Sequence, residues 1–318
     1  MTLAANAFTS YTAKGLREDL SNIIYNVDDA NTNFVDRISR GRASNSLREW
    51  QTVATPAVST TNAQLEGDVF AMAASTATVR LNNYCQIAWR TFGTTASEEA
   101  IDKAGRESEL GFQTTLFGLA LRRDIEAMCF LNQAKVAGNA TTARKYAGIL
   151  SWIATNDVFG ASGVSPTGDG SDARTDGTQR PFTETQLQDV AQLIWTASGG
   201  SQSGLNLYVG GFNKRVASGF TGVATKFKDV DDKRIMATAD VYVSDFGEIN
   251  IVPNPNMRSR DALMLNLEYW ALAELRPMTT KEIMTAQFDG SARVILNELT
   301  LESRNEKASG GIFDLTTS

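Results

Sequence analysis

Asp229, Asp231 and Asp232 stand close enough in the chain to suggest a hard-cation site. The calcium-loop spacing, with its central glycine and terminal glutamate, is missing. Lys226, Lys228, Lys233 and Arg234 flank the cluster, so it reads as a self-neutralising loop or a set of intersubunit ion pairs. Gly168-x-Gly170-x-x-Ala173 matches a loose dinucleotide fingerprint, but no strand pattern precedes it and no helix pattern follows, so it reads as loop composition. Asp245-Phe246-Gly247 matches a kinase triplet in isolation, without a glycine-rich loop or an HRD motif, and Val241 and Val243 beside it favour a hairpin turn. Asn139 begins a glycosylation sequon that matters only in a secreted protein. Glu98 and Glu99 read as first-turn helix charges. There is no histidine, which removes Ser-His-Asp and Cys-His nucleophiles, histidine zinc sites and imidazole acid-base chemistry. Cys85 and Cys129 fall in apolar patterns and are expected to be small buried hydrophobes. The expectation is no catalytic, cofactor or metal site.

The elements that would position such groups are more informative. At 318 residues the chain can bury a sizeable core, and its net charge of −6 argues against a phosphate-neutralising surface. No apolar run approaches the ~18 residues of a membrane span, and the first residues have no signal-peptide core, so an intracellular product in a reducing compartment is expected.

From Thr76 to Phe92 the chain alternates strictly, Val79, Leu81, Cys85, Ile87 and Trp89 on one face and Arg80, Asn82, Gln86 and Arg90 on the other. This predicts one half-buried strand of roughly 55 Å. With the stretch from Leu47 it suggests a long two-stranded ribbon, which must lie on something else because a lone ribbon is marginal in water. Thr95 and Glu98 have capping-box spacing, and the proline-free run from Glu98 to about Ala134 predicts one helix of roughly 55 Å, with bends at Gly105, Gly111 or Gly118. Before the ribbon lies a polar arm with one amphipathic helix, Leu16, Leu20, Ile23 and Ile24 giving its spacing. Residues 157–181 read as an exposed loop. Thr183 and Gln186 then cap a helix, followed by a strand at "LNLYVGG", a helix at "FNKRVASGF" and a hairpin at "DVYVSDFGEINIVPN". Two C-terminal strands follow, with Pro277 between them.

Taken in order, "GLREDL", a ribbon carrying "EWQ" and "EG", a long helix ending in "RRDIEAM", then "GILSWIATN", "YVSDFGEINIV", "LRP" and "NEKASGGIFDL" resemble the major capsid proteins of tailed bacteriophages. The resemblance covers nearly the whole chain and implies the α+β HK97-like (Johnson) fold. It implies an N-terminal arm at 1–46, an extended loop at 47–96, a peripheral domain with the spine helix at 97–145 and 256–309, an axial α/β domain at 146–255 and a tail at 310–318. Function would then be mechanical: copies assembled as hexamers and pentamers into an icosahedral head around double-stranded DNA, without sequence-specific binding, cofactor or membrane. Portal, scaffolding and decoration or cement proteins would be partners, with assembly in the host cytoplasm and the virion as destination. The candidate interface residues are Trp50, Glu66, Arg80, Trp89 and Arg90 on the ribbon, Arg48 and Glu49 at its base, and Asn305, Glu306 and Lys307 near a subunit boundary. Some members of the family weld their shells through a lysine in the extended loop. Leu47 to Phe92 contains none, so no such crosslink is expected. The rivals are an encapsulin-like nanocompartment shell, an oligomeric α/β enzyme and a tail or baseplate protein.

Overall fold

The computed structural model describes residues 32–70, 72, 74–200, 204–220, 241–283 and 289–318. The amphipathic helix expected at Leu16–Ile24 and the Asp229–Asp232 cluster lie outside the described residues.

The described chain begins with a five-residue helix α1 (Asn33–Arg37) and strand β1 (Ser39–Arg42), both within the segment expected to be an arm. Phe34, Val35 and Ile38 are buried there, which ties the end of that segment into the core. β2 (Leu47–Thr52) and β3 (Val79–Tyr84) form an antiparallel ribbon of six residue pairs, so the regular ribbon is far shorter than the alternation suggests. β4 (Gln86–Thr95) is a separate strand. Cys85 breaks the two: its amide donates to the Ser46 carbonyl at 2.7 Å, its side chain is fully buried, and the facing of the chain changes there. On β4 it is Ala88 and Phe92 that are buried, while Ile87 and Trp89 point outward. A period-2 pattern survives a one-residue break only with its faces exchanged.

The long helix is likewise two. α2 (Ala96–Ala100) starts at Thr95, whose hydroxyl accepts from Glu98 N, as the capping spacing predicts. α3 (Glu109–Cys129) starts afresh at Ser108, whose hydroxyl accepts from Gly111 N, and Gly105 between them has φ +76°. α2 ends because its C-cap, Ile101, is already extended (ψ 135°), and the left-handed Gly105 turns the connection before Ser108 caps the next helix. The remaining 21 residues span about 31 Å.

Residues 157–181 are more ordered than their composition suggests: β5 (Asp157–Val158) opens them, bridges join Val164 to Thr175 and Arg180 to Leu315, and Arg174 is buried. α4 (Glu184–Ala197) carries the complete capping box of Thr183 and Gln186, and Phe182 and Leu187 pack in one cluster. β6 (Leu205–Val209), α5 (Gly211–Ala217), β7 (Val241–Ser244) and β8 (Gly247–Pro253) follow as the sequence predicts. β9 (Ala262–Asn266), β10 (Trp270–Ile283), β11 (Gly290–Ser303) and β12 (Gly310–Ile312) complete the order. Pro277 lies inside β10, where the register shifts between Arg276 and Thr279 and no ladder donor is needed.

One sheet runs β1-β10-β11-β4, the other β5-β12-β9-β6-β8-β7. The second sheet therefore draws β9 and β12 from beyond residue 255, and β12 places part of the expected tail inside it, between β5 and β9. β6, β9 and β12 are buried on both faces, while β7 and β8 at one edge alternate with exposed residues. Leu205, Leu207, Ile249, Ile251, Ala262 and Met264 pack with α4, while Tyr208, Leu263 and Leu265 join a larger core with α1, α3 and the four-stranded sheet. Gly310 is required where α4 crosses: a Cβ there would sit 2.7 Å from the Asn156 carbonyl and 2.8 Å from Val190 Cγ1.

Candidate subunit interface

The ten sequence-predicted residues fall into three groups. At the ribbon base, Arg48 Nε donates to Glu302 Oε1 at 2.6 Å, and Trp50 Nε1 donates to the Ser303 carbonyl at 2.8 Å with its ring 5.5 Å from that of Trp152. These two anchor the ribbon to its own subunit. Arg90 makes a paired contact with Asp124 on α3, Nε to Oδ2 at 2.6 Å and Nη2 to Oδ1 at 2.7 Å, and the bond to Asp124 raises the guanidinium pKa. Its position on the α3 side follows from the break at Cys85.

The second group faces outward. Glu49 and Arg80 pair across the ribbon at 3.6 Å, Glu66 lies in an exposed turn beside Gly67, and Trp89 is 60% exposed. The third group closes a short 3-10 turn, Glu306–Ala308. The Asn305 side chain accepts from Lys307 N at 3.2 Å, Glu306 accepts from the Thr155 hydroxyl and from Thr155 N at 3.4 Å, and the Lys307 carbonyl accepts from Asn156 Nδ2 at 2.7 Å. Structure thus brings Arg48, Trp50 and the residues around Ser303 together and leaves Glu66 and Trp89 apart from them.

Two surfaces are apolar and uncovered. Between the ribbon strands, residues 53–70 have no regular structure, and Val58, Leu65, Val69 and Phe70 are exposed, as is Met72; Phe70 is 100% exposed. On β4 and its neighbours, cross-strand register places Trp89 beside Leu296 and Thr279, and Ala292 beside Gly93 and Ile283. α3 covers the opposite face of this sheet through Phe92, Ile295, Leu299 and Leu121. An open cleft of about 430 Å³ lined by Phe92, Gly93, Ile283 and Ala292 ends the outer stripe. An open groove of this shape suits a strand or loop from outside.

Several buried polar groups that hold this region were not legible in the sequence. Glu298 accepts from Arg144 at 2.5 Å and from Arg276 at 2.6 Å, and Asn83 donates to the Leu301 carbonyl at 2.8 Å while accepting from Ala147 N at 2.9 Å. Arg174 pairs with Asp157 at 2.6 Å, its guanidinium 3.5 Å from the centre of the Phe313 ring, and burial lowers its pKa. Their partners lie far away in sequence, so no local pattern marks them. Burial lifts the Cys85 thiol to about 11 and the Cys129 thiol to about 12, and both are free, as small buried hydrophobes should be. Among the described residues no group of three or more Cys, Asp or Glu is placed to hold a metal ion, and no helix is long and apolar enough to cross a membrane.

Comparison with known proteins gives these surfaces a context. The family described as SU10 major capsid protein matches residues 3–316. No curated protein matches the chain. Among solved structures, the Cyanophage A-1(L) capsid asymmetric unit is similar with a TM-score of 0.67 at 12% identity, over 98% of this chain and 99% of that one. A Gordonia phage Cozz structure gives 0.61 at 11% identity, over 99% and 98%. The capsid of a native GTA particle gives 0.61 at 9% identity, over 99% of both chains. At such identities the similarity is one of fold.

Proposed function

Because the chain belongs to the SU10 major capsid protein family, we propose that its work is wholly mechanical, identical copies closing into an icosahedral head without a catalytic step. The chain is a structural major capsid protein with the α+β HK97-like fold, and the virion shell is where it resides. Family membership favours this over a nanocompartment shell or an oligomeric enzyme.

In this reading residues 47–96 act as the extended loop, α3 is the spine helix, and the six-stranded sheet forms the body of an axial domain. The axial unit of this reading takes β9 and β12 from beyond residue 255, past the bounds of 146–255 that the resemblance implies. β1 and β12 attach the ends of the arm and of the tail to the two sheets. The observation that supports assembly most directly is the exposed apolar loop between β2 and β3, with Phe70 wholly in water in the isolated subunit. Burying such side chains against a neighbour contributes roughly 25 cal/mol per Å² of apolar area, repeated at every contact in the shell. The outer stripe of Trp89, Leu296 and Ile283 is the surface on which a neighbour's loop would lie. Glu66, Glu49, Arg80 and the Asn305–Lys307 turn would lie at its rim. Double-stranded DNA inside, a portal, a scaffold, a cement protein and assembly in the host cytoplasm complete the proposal. An acidic chain suits a wall that must release its DNA. With no lysine from Leu47 to Phe92, the loop closes the shell by non-covalent contact.

The test is a variant carrying Phe70→Ser and Met72→Ser, viewed by negative-stain electron microscopy. It should keep the subunit fold, with wild-type amide protection in α3 and β11, and fail to close shells. Normal shells from this variant would refute the role given to the loop.

A further inference from the structure

Between Gln51 and Val79 the only charged residues are Glu66 and Asp68, and both are acidic. They stand on either side of Gly67, exposed, where Asp68 N donates to the Leu65 carbonyl at 3.2 Å. Phe70 and Met72 follow Asp68 at intervals of two, so the acidic part of the loop passes directly into its most exposed apolar part. The outer face of the four-stranded sheet carries the opposite charge. Cross-strand register sets Arg276 beside Glu298 at one end of this face, Lys281 beside Val294 further along, and Ile283 beside Ala292 at the open cleft. Glu298 is buried and bonded to both Arg144 and Arg276, so that end keeps a surplus positive charge. Lys281 is exposed and stands two positions before Ile283, while Glu282 between them alternates to the other face, where it pairs with Arg293 at 3.7 Å.

We propose that an ion pair between Asp68 of one copy and Lys281 of the next fixes the register in which the loop lies on its neighbour, with Phe70 in the cleft at Ile283 and Glu66 toward Arg276. This pairing presupposes that the loop lies on a neighbouring copy, as proposed above, and adds the position at which it stops. Apolar burial alone does not select that position, because it is non-directional and the outer stripe is apolar both at Trp89 and Leu296 and at Ile283. Charge does select it. Two residues of extended chain cover about 6.6 Å, and this interval separates Asp68 from Phe70 in the loop and Lys281 from Ile283 on β10. A slip of two residues in either direction puts the Asp68 carboxylate over Ile283 or over Leu296, against an apolar side chain and away from the lysine. One exposed pair is weak in water, but it is repeated at every copy of a closed shell.

Charge exchange tests this pairing separately from the role of the loop itself. The full chain is expressed with its neighbouring genes, and closed shells are counted by negative-stain electron microscopy at low ionic strength. Lys281→Asp alone, and Glu66→Lys with Asp68→Lys, should each lower the yield of shells by about tenfold, since like charges then meet at every contact. All three changes together should restore it to within about threefold of wild type. Unchanged melting temperatures of the variant subunits separate a lost contact from a lost fold. In a second arm, Asp68→Cys with Lys281→Cys should give a disulfide-linked ladder on non-reducing gels of shells, which neither single cysteine variant gives. Reversals without effect, a combined variant no better than the single reversals, or no ladder would overturn the proposal. Failure of Phe70→Ser with Met72→Ser to close shells would then still leave the role of the loop standing. A wild-type chain that forms no shells would overturn both.

Discussion

Replacing Arg48 by Ala tests whether the ribbon is held by its own subunit. Glu302 is only 3% exposed, and its Oε1 lies 2.6 Å from Arg48 Nε. Breaking a fully buried pair costs about 3–5 kcal/mol, because the remaining charge stays desolvated. Here Arg48 is one-third exposed and Arg304 still approaches the other carboxylate oxygen at 3.5 Å, which brings the expected loss to about 2 kcal/mol. At about 1.4 kcal/mol per factor of ten, this is roughly 30-fold faster local opening, read as hydrogen exchange of the β2 and β3 amides. Adding Glu302→Gln removes the stranded charge, so the double variant should recover to about fivefold, a loss of about 1 kcal/mol. Exchange within threefold of wild type in Arg48→Ala, or a double variant as impaired as the single, would refute this reasoning.

Asp261 is buried, and burial lifts its carboxyl to about 7 despite Arg258 and Arg260 nearby. A pKa raised above the unfolded value means that the charged form costs stability above pH 7 and that this cost disappears as pH falls toward 4. Asp261→Asn should therefore stabilise the chain by about 1–3 kcal/mol at pH 8 and change little at pH 4, as read by thermal melting; destabilisation at pH 8 would contradict the assignment. A Cβ on Gly148 would lie 2.1 Å from the Leu131 carbonyl, so the backbone itself must move. Gly148→Ala should lower stability by about 3 kcal/mol or more, measured by urea unfolding, and a wild-type midpoint would show that this loop is looser than its contacts indicate.

Much of the fold could be read where the signal is local. The capping box at Thr183, the strand Leu205–Val209 and the hairpin at Val241–Pro253 each rest on neighbours within a few residues, and each is found. The failures occur where a distant contact decides. Alternation through Cys85 looks unbroken, yet the Ser46 carbonyl takes its amide and the faces exchange, so Trp89 turns out and Arg90 turns in. Gly105 was visible as a weak point in the helix. That Ser108 would start a second helix was a matter of one hydroxyl, and its spacing to Gly111 carries no apolar cue. Phe313 and Leu315 look like the end of a tail, but they are buried beside β5 and α4. The interface candidates divide on the same principle. Sequence could mark Trp50 and Arg48 as unusual, but their partners Ser303 and Glu302 lie some 250 positions away. Phe70 and Met72, the most exposed apolar residues of the loop, had no feature to separate them from a covered strand. Glu126 looked like one more charge on a helix, since nothing nearby in sequence predicts that Phe34 and Val35 would cap against it.

The most direct test of the central claim is cryo-electron microscopy of the purified chain, alone and co-expressed with its neighbouring genes. Closed icosahedral shells are predicted, with the loop of residues 53–74 from one copy lying over Trp89, Leu296 and Ile283 of the next. Discrete small oligomers under every condition, or open tubes and rings, would contradict it.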